Sequence, residues 1–205
     1  FTVDGTFAYD GSNALDATGN ETGRTESGGI YNNGQTISQG ETIRYLQYID
    51  TSGGSSDEAC TMFGIQSSGA PASNYGVCTD LNGTDRLVLV RDAVDSADTS
   101  PAVTLASSTM SVSTGWYTFE IDWGTDDSIE VEMRDAAGSL TASLSASDSN
   151  YTSGGLGFTF WFQSGGWDSF SSRPTLTTEP TIFFGVEQAD GGATWKAAQN
   201  PVTDY

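Results

Sequence analysis

The chain has 205 residues, with 27 acidic and 7 basic side chains, no histidine and a net charge of −20 at pH 7. No basic stripe exists to neutralise phosphates, which excludes nucleic acid and anionic membrane surfaces as partners, and no apolar run is long enough for insertion into a bilayer. The lack of histidine removes Ser-His-Asp and Cys-His catalysis and the common zinc sites.

Strand-like runs bounded by Gly, Ser, Asn and Asp recur along the chain. The first is Thr2 to Tyr9. Glu41 to Asp50 alternates Ile43, Tyr45, Gln47 and Ile49 against Thr42, Arg44, Leu46 and Tyr48. Ala59 to Gln66, Tyr75 to Thr79, Asp85 to Arg91 and Ala102 to Ala106 follow. In Trp116 to Trp123, the residues Tyr117, Phe119, Ile121 and Trp123 share one face; in Ser128 to Arg134, Ile129, Val131 and Met133 do the same. The register that keeps both apolar sets on one side pairs Asp122 with Glu130 and Glu120 with Glu132, a patch of carboxylates with Arg134 at its edge. Leu140 to Ser145, Gly155 to Gln163, Trp167 to Phe170 and Thr181 to Gln188 complete the series. No segment carries a helical apolar period of useful length. Many short strands with polar turns predict an all-β fold, a two-sheet antiparallel jelly-roll sandwich over residues 1–175. Residues 176–205 then form a C-terminal extension with one further strand, packed on the domain or on a neighbouring subunit.

A hairpin joining Cys60–Gln66 to Tyr75–Thr79 places Cys60 opposite Cys78, which favours a disulfide over two buried thiols. That pairing, the sequons at Asn20, Asn82 and Asn150 and a Ser/Thr/Gly-rich composition point to a secreted, cell-surface or virion-surface glycoprotein. The acidity fits very high salt. There the Debye length falls to about 3 Å and like charges stop repelling at range.

The segment Gly115-Trp-Tyr-Thr-Phe-Glu-Ile-Asp-Trp123, followed by Ser128 to Arg134 and the turn Asp135-Ala-Ala-Gly138, resembles the laminin-G-like and concanavalin A-like jelly rolls. Tyr151-Thr-Ser-Gly-Gly-Leu-Gly-Phe158 looks like their glycine-rich entry to a late core strand, and Trp167 to Pro174 is similar to their closing strand. The resemblance implies a sugar-binding or adhesion module of a halophile, an archaeon or its virus. It also implies a structural Ca2+ at Asp168, with Asp4 or Asp10 as partners; the alternative for Asp168 is a plain turn residue. Calcium takes six to eight oxygens.

Catalysis has little to work with. Retaining hydrolases on this fold resemble a Glu-x-Asp-x-Glu strand, but here Gly124 stands where the second Glu belongs after Glu120 and Asp122, so no enzyme is expected. Binding has more material. Trp161, beside Gly157, Thr159 and Gln163, and Trp167 nearby, suit a shallow glycan-binding groove, unless Trp161 packs under a loop or the other sheet. The expected function is a non-catalytic surface protein for adhesion, glycan binding or assembly. The alternative is a filament or surface-layer subunit that adds strands to neighbouring copies of itself; a polysaccharide-active enzyme is third.

Overall fold

The computed structural model describes residues 2–4, 9, 14–16, 27–52, 58–66, 73–92, 103–161 and 165–174. The chain divides into a unit spanning Phe1–Thr175 and one spanning Leu176–Tyr205. The second unit, with the strand expected at Thr181 to Gln188, lies outside the described residues.

Thirteen strands are described: β1 (Thr2–Asp4), β2 (Ala14–Asp16), β3 (Ser27–Ser38), β4 (Glu41–Ile49), β5 (Glu58–Ile65), β6 (Tyr75–Asp80), β7 (Arg86–Arg91), β8 (Val103–Thr109), β9 (Gly115–Trp123), β10 (Ser128–Arg134), β11 (Leu140–Ser147), β12 (Ser153–Trp161) and β13 (Gly165–Pro174). They form a seven-stranded sheet in the order β1-β2-β13-β4-β9-β10-β11 and a six-stranded sheet in the order β3-β12-β5-β6-β7-β8. Every pairing is antiparallel. The described residues contain no helix, so none that is long and apolar enough to cross a membrane. The two-sheet sandwich anticipated from the strand pattern is the fold observed.

The period-2 alternation decides which side chains enter the core. Ile43, Tyr45 and Ile49 of β4 meet Phe119, Ile121 and Trp123 of β9 and Ile129, Val131 and Met133 of β10, all fully or nearly fully buried. Facing them from the other sheet are Ala59, Phe63, Tyr75, Val77, Leu87, Leu89 and Leu156. Among the described residues Trp123 is the largest fully buried side chain, and it contacts Phe63 and Tyr75 edge-on, with centroids 5.2 and 5.7 Å away. Tyr45 and Phe119 stack at 5.0 Å. Gln47 donates to Thr79 and the Trp167 indole N–H donates to Thr61, so the sheets are also joined by buried hydrogen bonds.

Two strands escape the sequence pattern. β3 reads Ser-Gly-Gly-Ile-Tyr-Asn-Asn-Gly-Gln-Thr-Ile-Ser. Its Gly and Asn residues look like turn signals, yet it pairs along β12 over most of its length. β2 is three residues long and pairs with β1 and β13. Of the run expected from Thr2 to Tyr9, Thr2–Asp4 is strand and Tyr9 is not, while residues 5–8 lie outside the described residues.

Candidate functional site

The disulfide is present: Cys60 and Cys78 are cross-strand partners on β5 and β6, and their sulfurs are bonded. They lie on the outer face of the six-stranded sheet, where Cys60, Met62, Ile65, Cys78, Val88 and Val90 form a second buried cluster. Glu58 and Asp80 are paired across β5 and β6 beside it and are also buried. Arg86 bridges to Asp80, which also accepts the Asn82 N–H. Among the described residues the one metal-sized grouping is Glu58, Cys60 and Cys78. Disulfide sulfurs offer no thiolate, so this grouping cannot serve as a metal site.

That burial bears on the expected groove. Register puts Thr159 opposite Cys60 and Trp161 opposite Glu58. Gly157 and Thr159, the small residues expected to floor a groove, are buried, and the Thr159 hydroxyl meets no partner among the described residues. The Trp161 side chain and Gln163 lie outside the described residues. Trp167 is corrected outright as a solvent-facing ring: it is 3% exposed, packs at 5.2 Å from Phe158 and ties the two sheets together through Thr61. The cause is strand parity, since Trp167 pairs with inward-facing Gln47.

Asp168, next along β13, points to the opposite face. Its two oxygens accept the backbone N–H groups of Tyr9 at 2.9 Å and Ser169 at 2.6 Å. Ser169 sits at φ 51°, inside the bulge that interrupts pairing with β4. The Asp4 side chain and Asp10 lie outside the described residues. Each oxygen of Asp168 thus already accepts a backbone N–H. Of the sequons, Asn82 and Asn150 are exposed; Asn20 lies outside the described residues.

The outer face of the seven-stranded sheet carries the best-formed site. Tyr48 on β4 pairs with Trp116 on β9 and with Gly166 on β13. The Tyr48 and Trp116 rings meet edge-on at 5.4 Å, and the Tyr9 ring lies 5.8 Å from that of Trp116. Tyr9 is 51% exposed, and Tyr48 and Trp116 are partly exposed. At one end of this aromatic row stands a polar rim. Thr114 donates to Asp50, Thr51 bonds Thr114, and the Ser52 N–H donates to Asp50. Partial burial pushes the Asp50 carboxyl up, but the hydrogen bonds from Ser52 and Thr114 outweigh it and hold the group below its ordinary value. At the other end are Asp168 and, beyond Leu46 and Thr118, the carboxylate patch.

The patch has the anticipated register: Asp122 faces Glu130, and Glu120 faces Glu132. Its cation supply is larger than Arg134 alone. β4 lies on the far side of β9, so Arg44 pairs with Glu120 and Thr42 with Asp122, to which the Thr42 hydroxyl donates. Arg173 lies one strand further on, opposite Thr42, and Arg134 binds Glu132 at 2.6 Å. This network arranges the carboxylates as a paired surface rather than as an isolated acid and base.

The aromatic row was missed in the sequence because Tyr9, Tyr48 and Trp116 are scattered over more than a hundred residues of the chain. The available signal was parity: Tyr48 falls out of phase with the core residues of β4, and Trp116 with those of β9.

No protein-family model matches the chain, and no curated protein matches it. Solved structures do. A legume lectin-like domain from Entamoeba histolytica superposes with a TM-score of 0.58 at 9% identity, covering 85% of this chain and 89% of that one. A carbohydrate binding module from Bacillus subtilis gives 0.55 at 14% identity, covering 78% and 91%. A Bacillus subtilis protein of unknown function with a galectin-like fold gives 0.54 at 10%, covering 72% and 77%. At such identities the likeness is one of fold: the chain is a concanavalin A-like jelly-roll sandwich.

Proposed function

We propose that this protein is a non-catalytic glycan-binding module of a secreted or cell-surface protein working in high salt, and that its sugar platform is the Tyr9, Trp116 and Tyr48 row. The observation that carries this reading is the row itself: three partly exposed aromatic rings beside two hydrogen-bonded carboxylates on one open sheet face. Aromatic faces stack on the C–H faces of sugar rings, while carboxylates and hydroxyls at the rim take sugar hydroxyls. Lectin-like and carbohydrate-binding domains among the structures of like fold support the class of ligand.

The same face carries Asp168, Glu120, Asp122, Glu130 and Glu132 against Arg44, Arg134 and Arg173. A uronic-acid or sulfated glycan would be repelled, so the ligand is an uncharged polysaccharide. Glycan-array binding in molar salt tests this. Trp116→Ala is expected to weaken binding at least tenfold, about 1.4 kcal/mol, while Trp161→Ala leaves it intact. No binding to any glycan sinks the proposal. Loss on Trp161→Ala alone would move the site to the six-stranded sheet, and polysaccharide cleavage abolished by Glu120→Gln would make the protein an enzyme.

A further inference from the structure

The two sheets end on the same side of the sandwich, at β8 and β11, and these edge strands pack against each other. Among the described residues β8 pairs only with β7, and β11 only with β10. An open edge offers backbone N–H and C=O groups to any passing strand, and sheet proteins usually block it with charge or proline. Here neither strand is blocked. No charged residue occurs between Asp98 and Glu120, the stretch holding β8, and none between Asp135 and Asp148, the stretch holding β11. Neither strand contains proline. In a chain of net charge −20 this is a neutral seam. Three large apolar side chains are exposed among the described residues. Tyr9 belongs to the aromatic row, and the other two are Val103 on β8, 40% exposed, and Leu140 on β11, 52% exposed.

We infer that the β8/β11 side is a homotypic interface, on which a second copy of this chain docks edge to edge about a two-fold axis. Charge selects the occupant. A cationic partner would be drawn to the carboxylate-rich face, whereas two copies this acidic can approach closely only where neither presents charge. Geometry selects the symmetry. Val103 pairs with Arg91, whose guanidinium holds Asp148 just past the end of β11, so Val103 and Leu140 mark opposite ends of the seam. A two-fold axis perpendicular to the sheets runs each edge strand antiparallel to its own copy, and brings Leu140 to the same end as the partner's Val103. It also extends like sheet with like sheet and closes the assembly at two chains.

The seam is small. A seam about 27 Å long across sheets about 10 Å apart gives about 300 Å² per copy, below the usual range of a stable specific interface. Affinity is therefore modest and governed by screening of the remaining charge: dimerisation strengthens as salt rises, the reverse of an association built on ion pairs.

Sedimentation of the full chain tests this. The mass should rise from one chain towards two between about 0.1 M and about 2 M salt, where screening lengths shrink severalfold. The double variant Val103→Asp/Leu140→Asp, altered only at exposed positions, should stay at one chain with an unchanged circular dichroism spectrum. In a separate variant, Ser143→Cys, at an exposed position mid-way along β11, should be crosslinked between copies by a short bis-maleimide at high salt, since the native cysteines are bonded to each other. A single-chain mass at every salt, a dimer that dissolves as salt rises or survives the double variant, an assembly growing beyond two chains, or no crosslink at position 143 would each overturn the inference.

Discussion

A Cβ placed on Gly154 would sit 2.3 Å from the carbonyl carbon of Gly64 and 2.6 Å from its oxygen. β12 and β5 change register at this point, and Gly64 itself takes a φ of +64° with the Trp123 ring packed against its open side. Two glycines therefore let one strand cross close over a bulge in its neighbour.

The obstacle at Gly154 is backbone, which no rotamer change relieves. Gly154→Ala should cost on the order of 3 kcal/mol or prevent folding. Gly115→Ala, where nothing lies within 4 Å of the added carbon, should stay within about 0.5 kcal/mol of the parent. Chemical denaturation of both variants in high salt makes the comparison; equal stability would refute the close crossing.

The disulfide should matter through the unfolded chain. Cys60 and Cys78 stand 18 residues apart in sequence and are fully buried. Closing a loop of that length removes about 3 kcal/mol worth of unfolded-state entropy. Replacing both with Ala should lower unfolding stability by about that amount, whereas a reductant should leave the native protein unchanged because neither sulfur is accessible. Rapid reduction under native conditions would contradict the burial.

Glu130 faces Asp122 across β9 and β10 and is the exposed member of that like-charged pair. Directly opposed like charges on a sheet cost roughly 0.2–1 kcal/mol. Glu130→Gln should therefore raise the Tm in dilute buffer, and the gain should vanish in molar salt as the Debye length contracts to about 3 Å. A gain independent of salt would mean that packing, not repulsion, sets the effect. The parent protein should likewise gain stability as salt increases.

The β9–β10 hairpin was fully legible in the sequence because alternation fixes both face and register: Phe119, Ile121 and Trp123 had one consistent side. The cysteine pairing was legible for the same reason, as the turn between β5 and β6 leaves few registers that keep Phe63 and Tyr75 in the core. β3 was not legible, since its Gly and Asn residues read as turn signals although the strand pairs along β12. The neighbour of β9 was also hidden. Sequence adjacency pointed to β10, and the placement of β4 on the other flank, which brings Arg44 to Glu120 and Tyr48 to Trp116, is a long-range choice that no local pattern encodes. The aromatic row depends wholly on that choice, and so escaped notice until the sheet order was known.

The last prediction concerns acid. Asp148 follows β11 and is the hub joining three segments. It accepts from the Asn150 backbone and side-chain amides at 3.0 and 2.7 Å, from the Tyr75 hydroxyl at 2.8 Å, and from the Arg91 guanidinium. Burial pushes its carboxyl up, but the bonds from Asn150 and Tyr75 together with the Arg91 charge outweigh burial and leave it below its ordinary value. A carboxyl with a depressed folded value stabilises the fold above the unfolded titration, near pH 4, and loses that contribution as pH falls through the lower folded value. Asp148→Ala should cost on the order of 2–3 kcal/mol at neutral pH, because Tyr75 and Arg91 lose a charged acceptor. The gap between parent and variant should hold steady down to about pH 5 and close below about pH 4. Unfolding measured across that range in constant high salt reads the gap directly. A gap that stayed constant into strong acid would show that Asp148 acts by shape rather than charge, and one that closed near neutrality would mean its carboxyl titrates above its ordinary value.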